Sequence, residues 1–324
     1  MKVAVVGCGG IGMAHARAYG QIEAAELAFM VDKNEALAKE KAGEVGCAPL
    51  CDIANIPDDV QCVSVATPPS VHYPLVKALL EKGHHVFSEK PLTMDIDKAA
   101  ELVRLAARCN RCLGVGFKMR HEPIFVKAKA LVERVGRIQL ISTFKQQPYR
   151  PREGWDWVPE VGAMYELSVH DFDLVHAICG VAPRAVLSAR LDHSYGWPRE
   201  NAFAITVEYD NGAIGSLCGM YAKEGKWTGR DFTLTILGEH GYLQVERNDR
   251  IVFHGEEVEI FPKPEDVPNT FALELSDFLA AIDAGERPPV DGLCGYYTTA
   301  LVELAVRAHE EGRRQDIDRQ AVEA

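Results

Sequence analysis

Apolar and polar positions change rhythm once along this chain. In the first third, short apolar runs rich in β-branched residues at 3–6, 27–31, 60–66, 85–88 and 112–116 alternate with helical stretches at 11–21, 35–44, 71–82 and 96–109. That alternation predicts βαβ units, with right-handed crossovers building an open parallel sheet covered by helices on both faces. From about residue 138 the period shortens to two. Phe203, Ile205, Val207 and Tyr209 alternate with Ala204, Thr206 and Glu208, and Asp210-Asn211-Gly212 turns the chain into a return strand at 214–218. The alternation resumes at Phe232, Leu234 and Ile236, then after a turn at 238–241 at Leu243 and Val245, and again at 251–253. This predicts an antiparallel meander. Helices are expected at 124–135, 271–284 and 296–311, with Pro288-Pro289 breaking the chain between the last two. The change of rhythm places a domain boundary near residue 120, giving domains 1–120 and 121–324.

Length supports two domains, because 324 residues exceed the size at which single cores stop growing, roughly 250–300 residues. Apolar residues make up 47% and charged residues 25%, which excludes a disordered or fibrous chain. With 47 acidic against 35 basic residues the net charge is −12, so nucleic acid and anionic lipid are repelled and neither is an expected partner. The apolar start, Val3 to Val6, is too short for a signal-peptide core, and no apolar run approaches a membrane span. A cytoplasmic protein is expected. The nine scattered cysteines read as reduced thiols. Cys109-x-x-Cys112 lacks a second close Cys/His pair to complete four ligands, so no metal is expected.

Gly7-Cys8-Gly9-Gly10-Ile11-Gly12 has the G-x-G-x-x-G spacing, follows the first strand directly and opens a helix. In that context Gly7 makes a tight turn, Gly9 admits a pyrophosphate, Gly12 lets helix and strand approach, and the N–H groups at the helix start face the phosphates. This is the fingerprint of a Rossmann dinucleotide-binding domain. Asp32 ends the second strand, where a carboxylate accepts hydrogen bonds from both adenosine ribose hydroxyls and opposes a 2′-phosphate. NAD is therefore the expected cofactor, with NADP left open by the adjacent Lys33, which softens that repulsion.

Two further strands end in Ala66-Thr67-Pro68-Pro69-Ser70-Val71-His72 and Phe87-Ser88-Glu89-Lys90-Pro91-Leu92, at the carboxyl ends where open parallel sheets hold ligands. With the glycine turn, these segments make the chain resemble the Gfo/Idh/MocA family of oxidoreductases, with Glu89-Lys90-Pro91 the most specific match. The resemblance covers essentially the whole chain. It implies an α/β protein: an N-terminal Rossmann doubly wound parallel sheet plus a C-terminal α+β domain with a large open, mostly antiparallel sheet. It also implies a nicotinamide-dependent dehydrogenase or reductase acting on a sugar, inositol or related polyol. Lys90 would touch cofactor and substrate, donating to the reacting oxygen as alkoxide character develops. Thr67, Pro68, His72 and Glu89 are expected at the cofactor.

The family's second signature, a helix carrying Asp-x-x-x-His, is matched by the segment Gly162 to Asp173, with Glu166 in place of aspartate and His170 retained. At about 100° per residue, Glu166, His170 and Asp173 share a narrow stripe on a helix otherwise covered by Leu167, Val169, Phe172, Leu174, Val175 and Ile178. So apolar a helix is buried, and its polar stripe needs a partner or a cavity. His170 is the expected proton acceptor. Glu166 would hold its ring or a substrate hydroxyl, unless the two form a structural pair. The aromatic and charged stretch 146–157, including Arg152 and Trp155, suits a polyhydroxylated ring, although tryptophans also pin loops. Lys118 and Arg120 follow the last parallel strand and are candidates for the same site, with an ion pair the alternative for Arg120.

Two other functions share the scaffold: an NAD-dependent glycoside hydrolase whose cofactor is reduced and reoxidised in one turnover, and a non-catalytic dinucleotide sensor. Lys90 and His170 argue against the sensor, which needs no proton-transfer groups. An exposed face on the second sheet would favour a homodimer or homotetramer.

Overall fold

The structure, a computed structural model, describes residues 1–151, 156–223 and 231–323. Strand β1 (Lys2–Val6) runs into α1 (Gly10–Tyr19). The alternation continues through β2 (Glu26–Val31), α2 (Glu35–Val45), β3 (Ala48–Leu50), β4 (Cys62–Val65), α3 (His72–Glu81), β5 (His85–Ser88), α4 (Ile96–Arg108) and β6 (Leu113–Val115). These strands form one parallel sheet in the order β3-β2-β1-β4-β5-β6. Every residue of β4 is buried, as expected of a strand covered on both faces. The order reverses between β1 and β4, which makes the loops after these two strands the switch point where such sheets bind ligands. Strand β3, absent from the sequence pattern, has three residues and a central proline that sits tolerably on a sheet edge.

The chain goes on through α5 (Pro123–Leu131), β7 (Ile138–Pro148), α6 (Val158–Ala163), α7 (Val169–Cys179), β8 (Pro183–Asp192), β9 (Ala202–Tyr209), β10 (Ile214–Ala222), β11 (Asp231–Gly238), β12 (Gly241–Glu246), β13 (Arg250–His254) and β14 (Val258–Pro262). Helices α8 (Thr270–Ala284) and α9 (Gly292–Glu311) and the short strand β15 (Gln315–Asp316) follow. The second sheet has nine strands in the order β14-β13-β12-β11-β7-β10-β9-β8-β15. The meander expected from the sequence is therefore interrupted: β7 lies between β10 and β11, parallel to β10 and antiparallel to β11.

Strand β7 escapes sequence reading because its faces contradict their chemistry. Thr143 and Lys145 point inward with Ile141, while Leu140 and Phe144 lie on the exposed side. Lys145 is tolerated inside because Asp171 on α7 meets it at 2.7 Å.

The chain forms two compact units. One comprises Met1–Lys118, Pro268–Thr299 and Arg319–Ala324, and the other Met119–Val267 and Ala300–Asp318. This differs from the single boundary expected near residue 120, since the segment holding α8 clusters with the first unit. The reason is apolar burial. Leu275, Phe278 and Leu279 of α8 share a core with Met13, Ala16 and Tyr19 of α1 and with Phe87 of β5, and the Phe87 and Phe278 rings lie 5.3 Å apart. Each such side chain contributes about 1.5–3 kcal/mol by leaving water.

Candidate active site

In the first unit the glycine turn has the geometry its spacing demands. Gly7 has φ +99°, and a Cβ there would lie 2.6 Å from Ala66 O. At Gly12 a Cβ would lie 1.8 Å from Gly7 O, so β1 and α1 approach as closely as glycine alone permits. Around Gly9 a Cβ would meet no protein atom within 4 Å, which leaves room for a phosphate. Helix α1 has no side-chain cap, and the Met13 N–H closes its first turn onto Gly9 O at 2.9 Å. The N–H groups that precede it are those an anion takes at a helix start, with Gly10 and Ile11 exposed there.

Asp32 is held at the end of β2 by two backbone donors. Cys8 N–H reaches Oδ2 at 2.9 Å and Asn34 N–H reaches Oδ1 at 2.9 Å. The carboxylate is thereby tied to the glycine turn, and Lys33 beside it is exposed. After β4, the Thr67 hydroxyl is buried without a protein hydrogen-bond partner. An orphaned donor of this kind beside Gly7 suits a polar ligand. Room over Gly9, N–H groups at the helix start, a fixed carboxylate and this hydroxyl together fit a dinucleotide.

After β5, the Lys90 N–H donates to Glu89 Oε2 at 3.1 Å, and Glu89 Oε1 lies 3.0 Å from His15 Nε2 on α1. Burial pushes the Glu89 carboxyl up, but the hydrogen bond and charge of His15, with Lys90 and Lys118, hold it below the usual range. Lys118 sits 3.9 Å from the centre of the Phe271 ring. Glu274 of α8 joins His15 and Glu89, and the three ligand atoms lie within 4.8 Å of one another, all buried. One imidazole and two carboxylates have the chemistry of a cation site, yet here two of the three are already hydrogen-bonded to each other.

His72, expected at the cofactor, is wholly buried, with Nδ1 2.7 Å from Pro91 O and Nε2 2.8 Å from Thr67 O. Burial holds its pKa below the ordinary histidine value, against the pull of the two carbonyls.

In the second unit the expected uniform helix is broken. A π-helical segment, Met164–Ser168, joins α6 to α7 and disturbs the 100° phase that would have placed Glu166, His170 and Asp173 on one stripe. Glu166 lies in the π segment and its carboxylate accepts a hydrogen bond from the Tyr221 hydroxyl. His170 is buried in the first turn of α7. Asp173 takes a different partner: Arg120 Nε donates to its Oδ2 at 2.7 Å, with a second bond from the same guanidinium. Arg120 thus forms the ion pair that the sequence offered as its alternative, and the buried Asp173 carboxylate needs that charge.

Sequence reasoning missed Glu200, whose carboxylate accepts the Met164 N–H at 2.8 Å and so caps the π segment. It also missed most of an aromatic group beside Glu166, of which only Tyr149 lies in the stretch 146–157. Trp197 lies 4.7 Å from Tyr149, 5.6 Å from Tyr195 and 5.7 Å from Tyr221 between ring centres. Tyr149, the pair Tyr195 and Trp197, and Tyr221 come from three separate segments, and no local motif unites them. Arg152 and Trp155 lie outside the described residues.

Residues 1–117 match the oxidoreductase family, NAD-binding Rossmann fold, and residues 129–317 match that family's C-terminal alpha/beta domain. The chain belongs to the Gfo/Idh/MocA oxidoreductase family. A myo-inositol dehydrogenase of Streptomyces leeuwenhoekii is 31% identical over 259 residues, covering 75% of this chain and 76% of that one. An inositol 2-dehydrogenase of Rhizobium meliloti is 23% identical over 98% of this chain and 99% of its own. Among solved structures, levoglucosan dehydrogenase in complex with NADH aligns with a TM-score of 0.87 at 20% identity, covering 98% of this chain and 99% of that one. At that identity the likeness shows the fold. As a Gfo/Idh/MocA protein this chain is an oxidoreductase whose first unit carries an NAD-binding Rossmann fold. Among its described residues, no helix is long and apolar enough to cross a membrane.

Proposed function

We propose that this protein oxidises a secondary hydroxyl of a sugar, inositol or related polyol, or reduces the matching ketone, with NAD as the redox partner. The observation that carries this reading is the loop after β5, where Lys90 is held by Glu89 at the carboxyl edge of the parallel sheet that bears the glycine turn and Asp32. The glycine turn, Asp32 and Thr67 would hold the dinucleotide, which when bound supplies the acceptor for a hydride. The Lys90 ammonium donates to the reacting oxygen and stabilises its developing negative charge. The His170 imidazole accepts the hydroxyl proton. Glu166, fixed by Tyr221, orients that imidazole or a neighbouring substrate hydroxyl. Names of the relatives support the substrate class, because they act on inositols and sugars.

A spectrophotometric screen of purified protein with NAD and NADP against polyols, aldoses and keto-sugars tests this. NADH formation or consumption with one of them is expected. No reduction or oxidation of the cofactor with any of these compounds would overturn the reading.

The same reading includes a second copy of the chain on the open sheet face. Leu140, Phe144 and Ile214 are 40%, 43% and 44% exposed there, and Leu140 pairs in register with both Ile214 and Leu237. Around them lie Ser142, Ser216, Cys218 and Thr235, so the centre of this face carries no charge in a chain whose net charge is −12. Two copies can meet there without repulsion. Phe144→Glu should shift the sedimentation coefficient to that of a smaller species, and an unchanged assembly would overturn this part. All nine cysteines are free thiols, which suits a cytoplasmic setting.

A further inference from the structure

The loop that presents Lys90 is held on two sides. On one side the Lys90 N–H rests on Glu89, itself bonded to His15. On the other, His72 at the start of α3 bridges the carbonyl of Pro91, immediately after Lys90, and the carbonyl of Thr67 in the neighbouring loop. Farther along, the Thr93 carbonyl accepts the Thr299 hydroxyl at 3.0 Å, so the descending chain is anchored as well. His72 is 0% exposed, and both of its ring nitrogens are directed at backbone oxygens.

We propose that His72 is a positioning residue for Lys90, acting through the Pro91 carbonyl and the loop after β4, and not a group that touches cofactor or substrate. The physical basis is leverage. A lysine on a flexible four-carbon stem delivers its ammonium reproducibly when its own backbone is fixed, and a misplacement of about 1 Å at a reacting group costs on the order of 10²-fold in rate. Both carbonyls are acceptors and the buried ring is held neutral, so its single N–H donates to one of them at a time, and the tautomer protonated at Nδ1 is the one that holds the Pro91 carbonyl. The proposal rests on the reading of Lys90 as the catalytic lysine.

A double-mutant cycle tests it, with myo-inositol as the probe or whichever polyol, aldose or keto-sugar the screen shows to be turned over. Lys90→Ala should lower kcat by about 10²–10³-fold. His72→Leu should lower kcat by about 10–10²-fold, with NAD affinity by calorimetry within threefold of the parent. His72→Asn, whose amide donates where Nδ1 does, should restore most of that loss. In the Lys90→Ala background neither His72 variant should reduce turnover further, because a residue that acts through Lys90 has nothing left to position. Losses that multiply in the double variant, a loss confined to NAD affinity, or unchanged turnover in His72→Leu would each overturn the proposal. If His72→Leu does not fold, the partial loss in His72→Asn must vanish in the Lys90→Ala background. Normal turnover in Lys90→Ala alone would remove the reading of Lys90 and this proposal with it, whereas a harmless His72→Leu beside a crippled Lys90→Ala removes the proposal alone.

Discussion

Lys145 and Asp171 form an ion pair at 2.7 Å in which each side chain is 1% exposed. Burial pushes the Asp171 carboxyl up, against the charge and hydrogen bond of Lys145. The pair ties β7, the strand inserted into the second sheet, to the helix that carries His170. Lys145→Met should destabilise the protein by about 3–5 kcal/mol by stranding a buried carboxylate, and adding Asp171→Leu should recover most of that loss. Urea unfolding midpoints of the parent and the two variants check this, and a single variant as stable as its double partner would refute it.

Asp32 is predicted to make NAD bind more tightly than NADP, because its carboxylate, fixed by Cys8 and Asn34, faces ribose hydroxyls well and a 2′-phosphate poorly. Calorimetry with both cofactors measures the preference. Asp32→Ala should narrow or reverse it, and a preference unchanged in that variant would show that another group reads the ribose.

His170 should govern the pH dependence of oxidation. The neutral imidazole is the proton acceptor, so the rate should climb with pH through its ionisation. His170→Asn should remove that limb while leaving NAD affinity largely intact. Retention of the same pH profile at similar kcat would hand the proton transfer to Lys90 or to water.

Glu89 gives a stability prediction with a definite sign. Its carboxyl lies below the usual range because His15, Lys90 and Lys118 outweigh the effect of burial. The stabilisation is complete above the ordinary glutamate pKa of about 4.3 and is lost as pH falls through the lower folded value. Glu89→Gln should therefore flatten the acid limb of stability against pH, measured as unfolding midpoints from neutral pH downward. An acid limb as steep as the parent's would place the lost protonation linkage elsewhere.

What the sequence by itself determined is what short stretches encode. The glycine turn, the aspartate at the end of β2, the Glu89-Lys90-Pro91 loop and the βαβ alternation each need a few neighbouring residues, and the structure keeps every one of them in register. Tertiary structure decided the features that depend on partners far along the chain. Lys145 points into the core because Asp171 awaits it, and that inverts the pattern of β7 and hides the strand. The π segment under Glu166 is stabilised by Glu200, 36 residues from the Met164 N–H it accepts, and it shifts a helical phase that periodicity alone would have carried through. Arg120 pairs with Asp173, and His72 bridges two loops. In each case a buried polar group had to find its counterpart, and the cost of leaving it without one is settled by the folded environment, which local sequence does not encode.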